Sequence, residues 1–334
     1  MRRARQPKTV RLKRTQDPTH ANESFSAFEQ KPIQTVAQHT ICSIAFFEAD
    51  GEYVVGGSEE NNIHCWRVKD GKEVGTSMDV GDTVCSIAVS QDSKRIMSVT
   101  KGGEVIVWNA ESREKVKSFK LEACDERFAA LDISPDTKRI VGVSGTVIRL
   151  WSLENGQRPI SLTHDKPLHA VKFSPDSHLL ATGSESSFRV YNSQNDWHIL
   201  ADIPGIHVVS VAWASNSKQL YALSWDGNVH YLDVSSGTRL SWLIHSTYEP
   251  RCISLAKNGT FVVASADSSI SLWDTSTRQQ IGNVIHHPAR VEFMAISTNY
   301  VIAVSASSGL TLRNLYTLPS PYVDDHVSGS ASKS

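Results

Sequence analysis

Apolar and polar residues alternate along this chain in short runs, and the runs recur with one period. Val84-Cys-Ser-Ile-Ala-Val89 has the alternation of a half-buried strand. A tight turn follows each such strand, clearest at Ser134-Pro-Asp136 and Ser174-Pro-Asp176, where proline fixes φ and the aspartate supplies local hydrogen bonds. A second strand comes next, as at Tyr53-Val-Val55, Arg139-Ile-Val141, Leu179-Leu-Ala181 and Phe261-Val-Val263. A third strand ends at a shared position held by Trp66, Trp108, Trp151, Tyr191, Leu232, Trp273 and Arg313, with spacings of 42, 43, 40, 41, 41 and 40 residues. Hairpin signals such as Lys69-Asp-Gly71, Glu154-Asn-Gly156 and Ser235-Ser-Gly237 lead into a weaker fourth strand. Seven units of this period predict seven four-stranded blades.

The seventh unit stops early. After Arg313-Asn314 the chain runs into Tyr316-Thr-Leu-Pro319 and offers no convincing fourth strand. Lys31 to His39 reads instead as the end of a repeat. Ile33 to Val36 is therefore expected to pair with the last blade and close the ring, which removes two exposed sheet edges. The fold class is an all-β, seven-bladed β-propeller over residues 32–317, closed by an N-terminal strand.

Composition adds bounds. The chain has 334 residues, 40% of them hydrophobic, and a formal net charge of −1. That is long for one core but ordinary for stacked repeats. Near-neutrality leaves no strong field towards nucleic acid or membrane. No apolar run approaches the ~20 residues of a membrane span, and the N-terminus lacks the apolar core of a signal peptide. Cys42, Cys65, Cys85, Cys124 and Cys252 form no CxxC pair. They read as reduced thiols in an intracellular compartment, the cytoplasm or the nucleus.

The two ends differ from the repeats. Met1 to Arg14 carries seven cationic residues and no acidic one, and residues 1–31 read as a basic, disordered arm. This arm fits an import signal, a nucleic-acid tether, a membrane-surface patch or a solvated tail. Residues 318–334 read as a disordered, Ser-rich tail. Catalytic and metal chemistry find little to stand on. His286-His287 and the pair His164 and His169 lack metal-ligand spacing, and no HExxH, GxSxG, P-loop or dinucleotide fingerprint occurs. No cofactor and no metal is expected.

At these residues the chain resembles the WD-repeat β-propellers, through seven in-phase units rather than one motif. The resemblance implies a hydrogen-bonded set within a blade: a His before the first strand, a Ser ending the second, an Asp in the next turn and the Trp of the third. Unit six offers His245, Ser265, Asp267 and Trp273, with the full dipeptide Trp273-Asp274. Unit one offers His39, Ser58 and Trp66, with Glu60 in place of Asp; unit five offers His207, Ser224 and Asp226, but has Leu232 for Trp. The set is read as structural, not catalytic.

The resemblance also implies a docking face, formed by residues at the start of each first strand and by the residue before each turn Asp. On this chain the first group includes Thr40, Thr83, Arg127, Ala129, His169, Val209, Glu249, Arg251, Arg290 and Glu292; the second includes Glu59, Lys101, Trp225 and Ala266. Trp225 lies in a polar turn that buries it poorly. Trp and Arg are enriched among binding hot spots, so a site of Trp225 with Arg251, Arg127, Arg290 and His169 is expected around an opening that suits acidic or phosphorylated peptides. The competing reading packs Trp225 on a neighbouring loop and leaves the arginines solvated. The expected function is a non-catalytic scaffold for proteins or peptides. Alternatives are a nuclear or nucleic-acid-associated factor using the arm, and a propeller sensor region of a larger signalling assembly.

Overall fold

The computed structural model describes residues 34–37, 40–47, 51–121, 129–154, 158–244, 249–315, 318 and 322. Seven antiparallel sheets of four strands each follow one another around a ring. Blade one holds Ile41–Phe47, Tyr53–Ser58, Asn62–Arg67 and Met78–Asp79, and blade two holds Val84–Val89, Arg95–Thr100, Glu104–Asn109 and Lys115–Lys120. Blades three to six repeat this order, with inner strands Ala129–Ile133, Leu168–Phe173, Val208–Trp213 and Pro250–Leu255.

Blade seven contains Val291–Ile296, Val301–Ala306 and Gly309–Asn314, and its outer strand is Gln34–Ala37 from the other end of the chain. Gln34 pairs with Leu312 and Thr35 with Thr311. The closure expected from Ile33 to Val36 is present, one residue later. It joins the first and last blades by main-chain hydrogen bonds, so the ring has no free seam at that edge.

The burial of each strand follows its place in the blade. Second strands, such as Leu179–Ser184 and Phe261–Ala266, are buried almost throughout because neighbouring blades cover both their faces. Outer strands, such as Lys115–Lys120 and Arg239–Leu243, are mostly exposed. The apolar core of the described residues divides into seven clusters. Each joins two adjacent blades: Val55 and Ile63 of blade one pack with Ile96, Ile106 and Trp108 of blade two. Each blade is therefore stabilised by its neighbours rather than by a core of its own.

Inner strands are also tied to each other by side chains. Ser43 Oγ accepts the Ile87 N–H at 3.0 Å, Asp132 Oδ2 accepts the Phe173 N–H at 2.8 Å, and Ser210 Oγ accepts the Ile253 N–H at 3.2 Å. These strands surround a central channel of about 610 Å³.

Two residues of the segment read as tail belong to the folded body. Leu318 is buried in the cluster between blades six and seven. The Tyr322 hydroxyl donates to Asp274 Oδ2 at 2.8 Å, and its ring meets Phe261 edge-on at 6.2 Å. Burial works against charge on Asp274, but the Thr277 N–H and the Ser276 and Tyr322 hydroxyls overcome it and lower its pKa to about 2. The arm, residues 1–31, lies outside the described residues, as do Cys124 and most of the tail.

Candidate functional site

The rim where inner strands begin is shaped by a repeated backbone irregularity. In six inner strands the ladder shifts register between the first and third residue. The skipped residues are Cys42, Cys85, His169, Val209, Arg251 and Glu292. A bulge leaves its extra residue unpaired and re-aims its side chain. Four residues expected on the docking face, His169, Val209, Arg251 and Glu292, owe their placement to this device.

A second set of contacts fixes the opposing turns. The main-chain N–H groups of Glu59, Lys101, Glu185, Trp225 and Asp267 donate to the carbonyls of Thr40, Thr83, Pro167, His207 and Glu249. Each bond ties the turn after a second strand to the residue just before the inner strand. This equivalence makes Asp267, not Ala266, the counterpart of Trp225 in blade six. Ala266 is fully buried.

Trp225 is held out by its own turn. Asp226 accepts bonds from Ser224 Oγ, from the Asn228 N–H at 3.2 Å and from Asn228 Nδ2 at 2.8 Å, while Gly227 takes φ of 81°. The indole is 46% exposed. Its inner face stacks on His207 with centroids 5.4 Å apart and planes 14° apart, and His207 stacks in turn on His169 at 5.1 Å. Trp225 thus leans on His207 and still presents one face to solvent. Burial first, and His207 second, lower the His169 pKa, so this ring is neutral at pH 7.

Arg251 and Arg290 are partly exposed and paired with carboxylates. Arg251 Nη2 lies 3.4 Å from Glu249 Oε2, Arg290 Nη2 binds the same oxygen, and Arg290 Nε lies 3.9 Å from Glu292 Oε1. Two cations and two carboxylates thus compensate each other on this sector. Arg127 lies outside the described residues. Glu59 and Lys101 occupy equivalent turns on blades one and two, away from the Trp225 stack.

The hydrogen-bonded sets inside the blades fall elsewhere than the motif suggested. Cross-strand register defines an equivalent position two residues after the partner of each third-strand aromatic: Gly56, Ser98, Gly142, Thr182, Ala222, Ala264 and Val304. Only Ser98 and Thr182 carry a hydroxyl there. The Trp108 indole donates to Ser98 Oγ at 3.0 Å, and His164 Nε2 lies 2.8 Å from Thr182 Oγ1. His164 also meets the Tyr191 ring edge-on at 6.2 Å. Burial, and then the charge of Arg189, lower its pKa to about 4.

Blade six is built differently. The Trp273 indole donates to Ser271 Oγ at 2.8 Å, and Ser265 Oγ meets Cys252 Sγ at 3.1 Å. Ser265 follows Ala264 by one residue, and alternation turns it to the other face of the strand. Ser58 and Ser224 lie one pleat further along and close the next turn on the carbonyls of Asn62 and Asn228. His230 Nε2 lies 2.9 Å from Ser224 Oγ. That serine is buried and committed to Asp226 and Asn228, so its work is to hold the turn. His39 and His245 lie outside the described residues.

The WD domain, G-beta repeat family matches residues 30–67, 157–192 and 239–274. The chain carries WD repeats on a seven-bladed propeller. Each match takes in the outer-strand region of one blade and the inner three strands of the next, so the sequence repeat straddles the structural one. Among relatives, Periodic tryptophan protein 2 of Arabidopsis thaliana is 24% identical over 57% of this chain and 22% of its own length. Autophagy-related protein 16 of Arabidopsis thaliana is 23% identical over 73% of this chain and 48% of its own. Protein groucho of Drosophila melanogaster is 25% identical over 41% of this chain and 19% of its own. The chain spans less than half the length of each of these relatives. No helix among the described residues is long and apolar enough to cross a membrane.

Proposed function

We propose that this WD-repeat propeller is a non-catalytic scaffold that docks protein partners on the rim around Trp225. One observation carries the reading: a large aromatic, 46% exposed, is fixed on a rigid ring by its own turn and by a two-histidine stack. A pre-ordered aromatic loses little entropy on binding, and Trp is prominent among hot spots. Repeated blades supply the rigid support that recognition loops need.

The test compares partner recovery from cell extract by the native chain and by a folded Trp225→Ala, Arg251→Ala variant. Loss of specific partners supports the face, and unchanged recovery excludes it. Nuclease treatment separates the alternative use of the basic arm, since a nucleic-acid tether would lose its partners on digestion. An intracellular location is supported by Cys42, Cys65, Cys85 and Cys252, none of which is in a disulfide among the described residues.

The arginine sector favours a second reading, in which an acidic or phosphorylated peptide replaces Glu249 between Arg251 and Arg290. Both guanidinium groups already converge on one carboxylate oxygen, which marks where a ligand carboxylate or phosphate would sit. The ligand must displace that contact, so Glu249→Gln is expected to strengthen binding of such a peptide.

A further inference from the structure

Each blade ends outwards in a strand with one open edge, and an open edge is a template for another chain. Among the described residues, six of these seven edges carry a device that blunts them. The outer strand of blade one, Met78–Asp79, has two residues, and that of blade three, Ile160–Thr163, has four. In blade two, Lys115–Lys120 carries three lysines and a register shift opposite Val107 and Trp108. Shifts also break the outer ladders of blade four, whose strand ends in Pro204, of blade six and of blade seven.

The outer strand of blade five, Arg239–Leu243, has none of these. Its five residues pair without a shift, from Leu232↔Arg239 to Asn228↔Leu243. It holds no proline and no lysine, and three of its side chains are Leu240, Trp242 and Leu243. Leu240 is 41% exposed and Leu243 52%. The adjoining main-chain bonds fix which groups face outwards. The Ile244 N–H donates to the Gly227 carbonyl, and the Asp233 N–H donates to the Thr238 carbonyl. Antiparallel alternation then turns the N–H and C=O groups of Arg239, Ser241 and Leu243 to the open edge.

We propose that this edge pairs with the same edge of a second copy of the chain, antiparallel about a twofold axis at Ser241. The run Arg-Leu-Ser-Trp-Leu is complementary to itself in that register. Ser241 meets its own counterpart, Arg239 faces Leu243, and Leu240 faces Trp242. The outward-facing residues of the two copies thus meet as hydrogen-bonded pairs, with about six main-chain bonds in all. Each Leu240–Trp242 contact is an aliphatic–aromatic cross-strand pair, a kind that stabilises sheets. The one cation of the strand faces a leucine, so no like charges oppose each other. A formal net charge of −1 leaves little repulsion between two whole chains. A twofold contact uses one patch twice and closes at two copies. This match of the strand with itself favours a second copy over a foreign strand. The pairing stands apart from the Trp225 rim and holds whether or not that face docks a partner.

Sedimentation velocity of the full chain from about 1 to about 100 µM reads the expected shift from one copy to two. Ser241→Pro deletes an outward N–H and spares the blade's own ladder, because an edge strand tolerates proline there, and it abolishes the shift. Leu243 reports the register. Leu243→Lys sets a cation opposite Arg239 at two symmetric points and weakens the dimer by about tenfold, whereas Leu243→Glu sets a carboxylate there and leaves the dimer as tight or tighter. Both change an exposed side chain, so they test the edge even if Ser241→Pro does not fold. A chain that stays single at about 100 µM overturns the proposal. So does a dimer that survives Ser241→Pro and Leu243→Lys, or one that Leu243→Glu weakens as much as Leu243→Lys. A single chain whose Leu243→Lys variant loses a protein from extract gives the edge to a foreign strand and likewise overturns the second copy.

Discussion

Blades four and six make an instructive pair. Blade six matches the family pattern at every position, yet its Trp273 bonds a serine two residues back on its own strand. Blade four has tyrosine for tryptophan, and its strand-ending Ser184 is spent on closing the next turn, yet the blade holds a buried His164–Thr182 pair at 2.8 Å. The difference is one of register. A second-strand hydroxyl reaches this interior position where it lies two residues past the cross-strand partner of the aromatic, and Thr182 is there while Ser265 is one residue off. The residue types in a motif are thus weaker evidence than their place on the pleat, because a shift of one residue changes the face.

The contrast is tested most strongly by Thr182→Val, which keeps the shape but removes the hydroxyl. It strips the buried His164 of its Nε2 partner and is expected to cost about 2 to 3 kcal/mol in chemical denaturation. A loss below about 0.5 kcal/mol would mean that the pair does not support blade four.

Glycine at the same register position makes the next case. A Cβ on Gly56 would sit 2.9 Å from both the Trp66 ring and Ile41 Cγ2, whereas at Gly142 the nearest atom is 3.1 Å away. Gly56→Ala is expected to lower stability by about 2 kcal/mol, and Gly142→Ala by less. Equal effects would show that ring contact at this position is not what sets the cost.

Acid should find blade four before blade six. The folded pKa of His164, about 4, lies below the ordinary 6.5. Between these values the unfolded chain takes up a proton that the folded chain refuses. Stability is therefore lost as pH falls from 6.5 towards 4 and levels off below. The loss is on the order of 1.5 kcal/mol, read by denaturation at pH 7 and pH 4.5, and it should disappear in His164→Asn.

Smaller effects complete the comparison. Ser265→Ala in blade six removes the contact to Cys252 and is expected to cost about 1 kcal/mol. Trp225→Ala should change stability by no more than about 0.5 kcal/mol, since half of the indole is already in water. A larger loss would make Trp225 a packing residue and weaken its role in docking.

The period, the blade count and the closing strand were legible in the chain because they depend on local alternation, turn residues and hairpins, which repeat in order. Sequence also singled out Trp225, through the polar turn that exposes it, and His169, Arg251 and Arg290 as rim residues. It missed Thr182 and Ser98, although the shared aromatic position, combined with antiparallel pairing, would have located both.

Other features depended on contacts between units about 40 residues apart. Glu249 reaches Arg290 from the next blade, 41 residues away, and turns an expected anion site into a compensated sector. His207 and His169 meet across two blades to support Trp225. Tyr322 bonds Asp274 across 48 residues and draws part of the expected tail into the body. Repetition along the chain determined which strands form and how many blades they make. The bulges and the packing of one blade on the next decided which side chains meet, because that choice depends on distance in space and on the charge already present there.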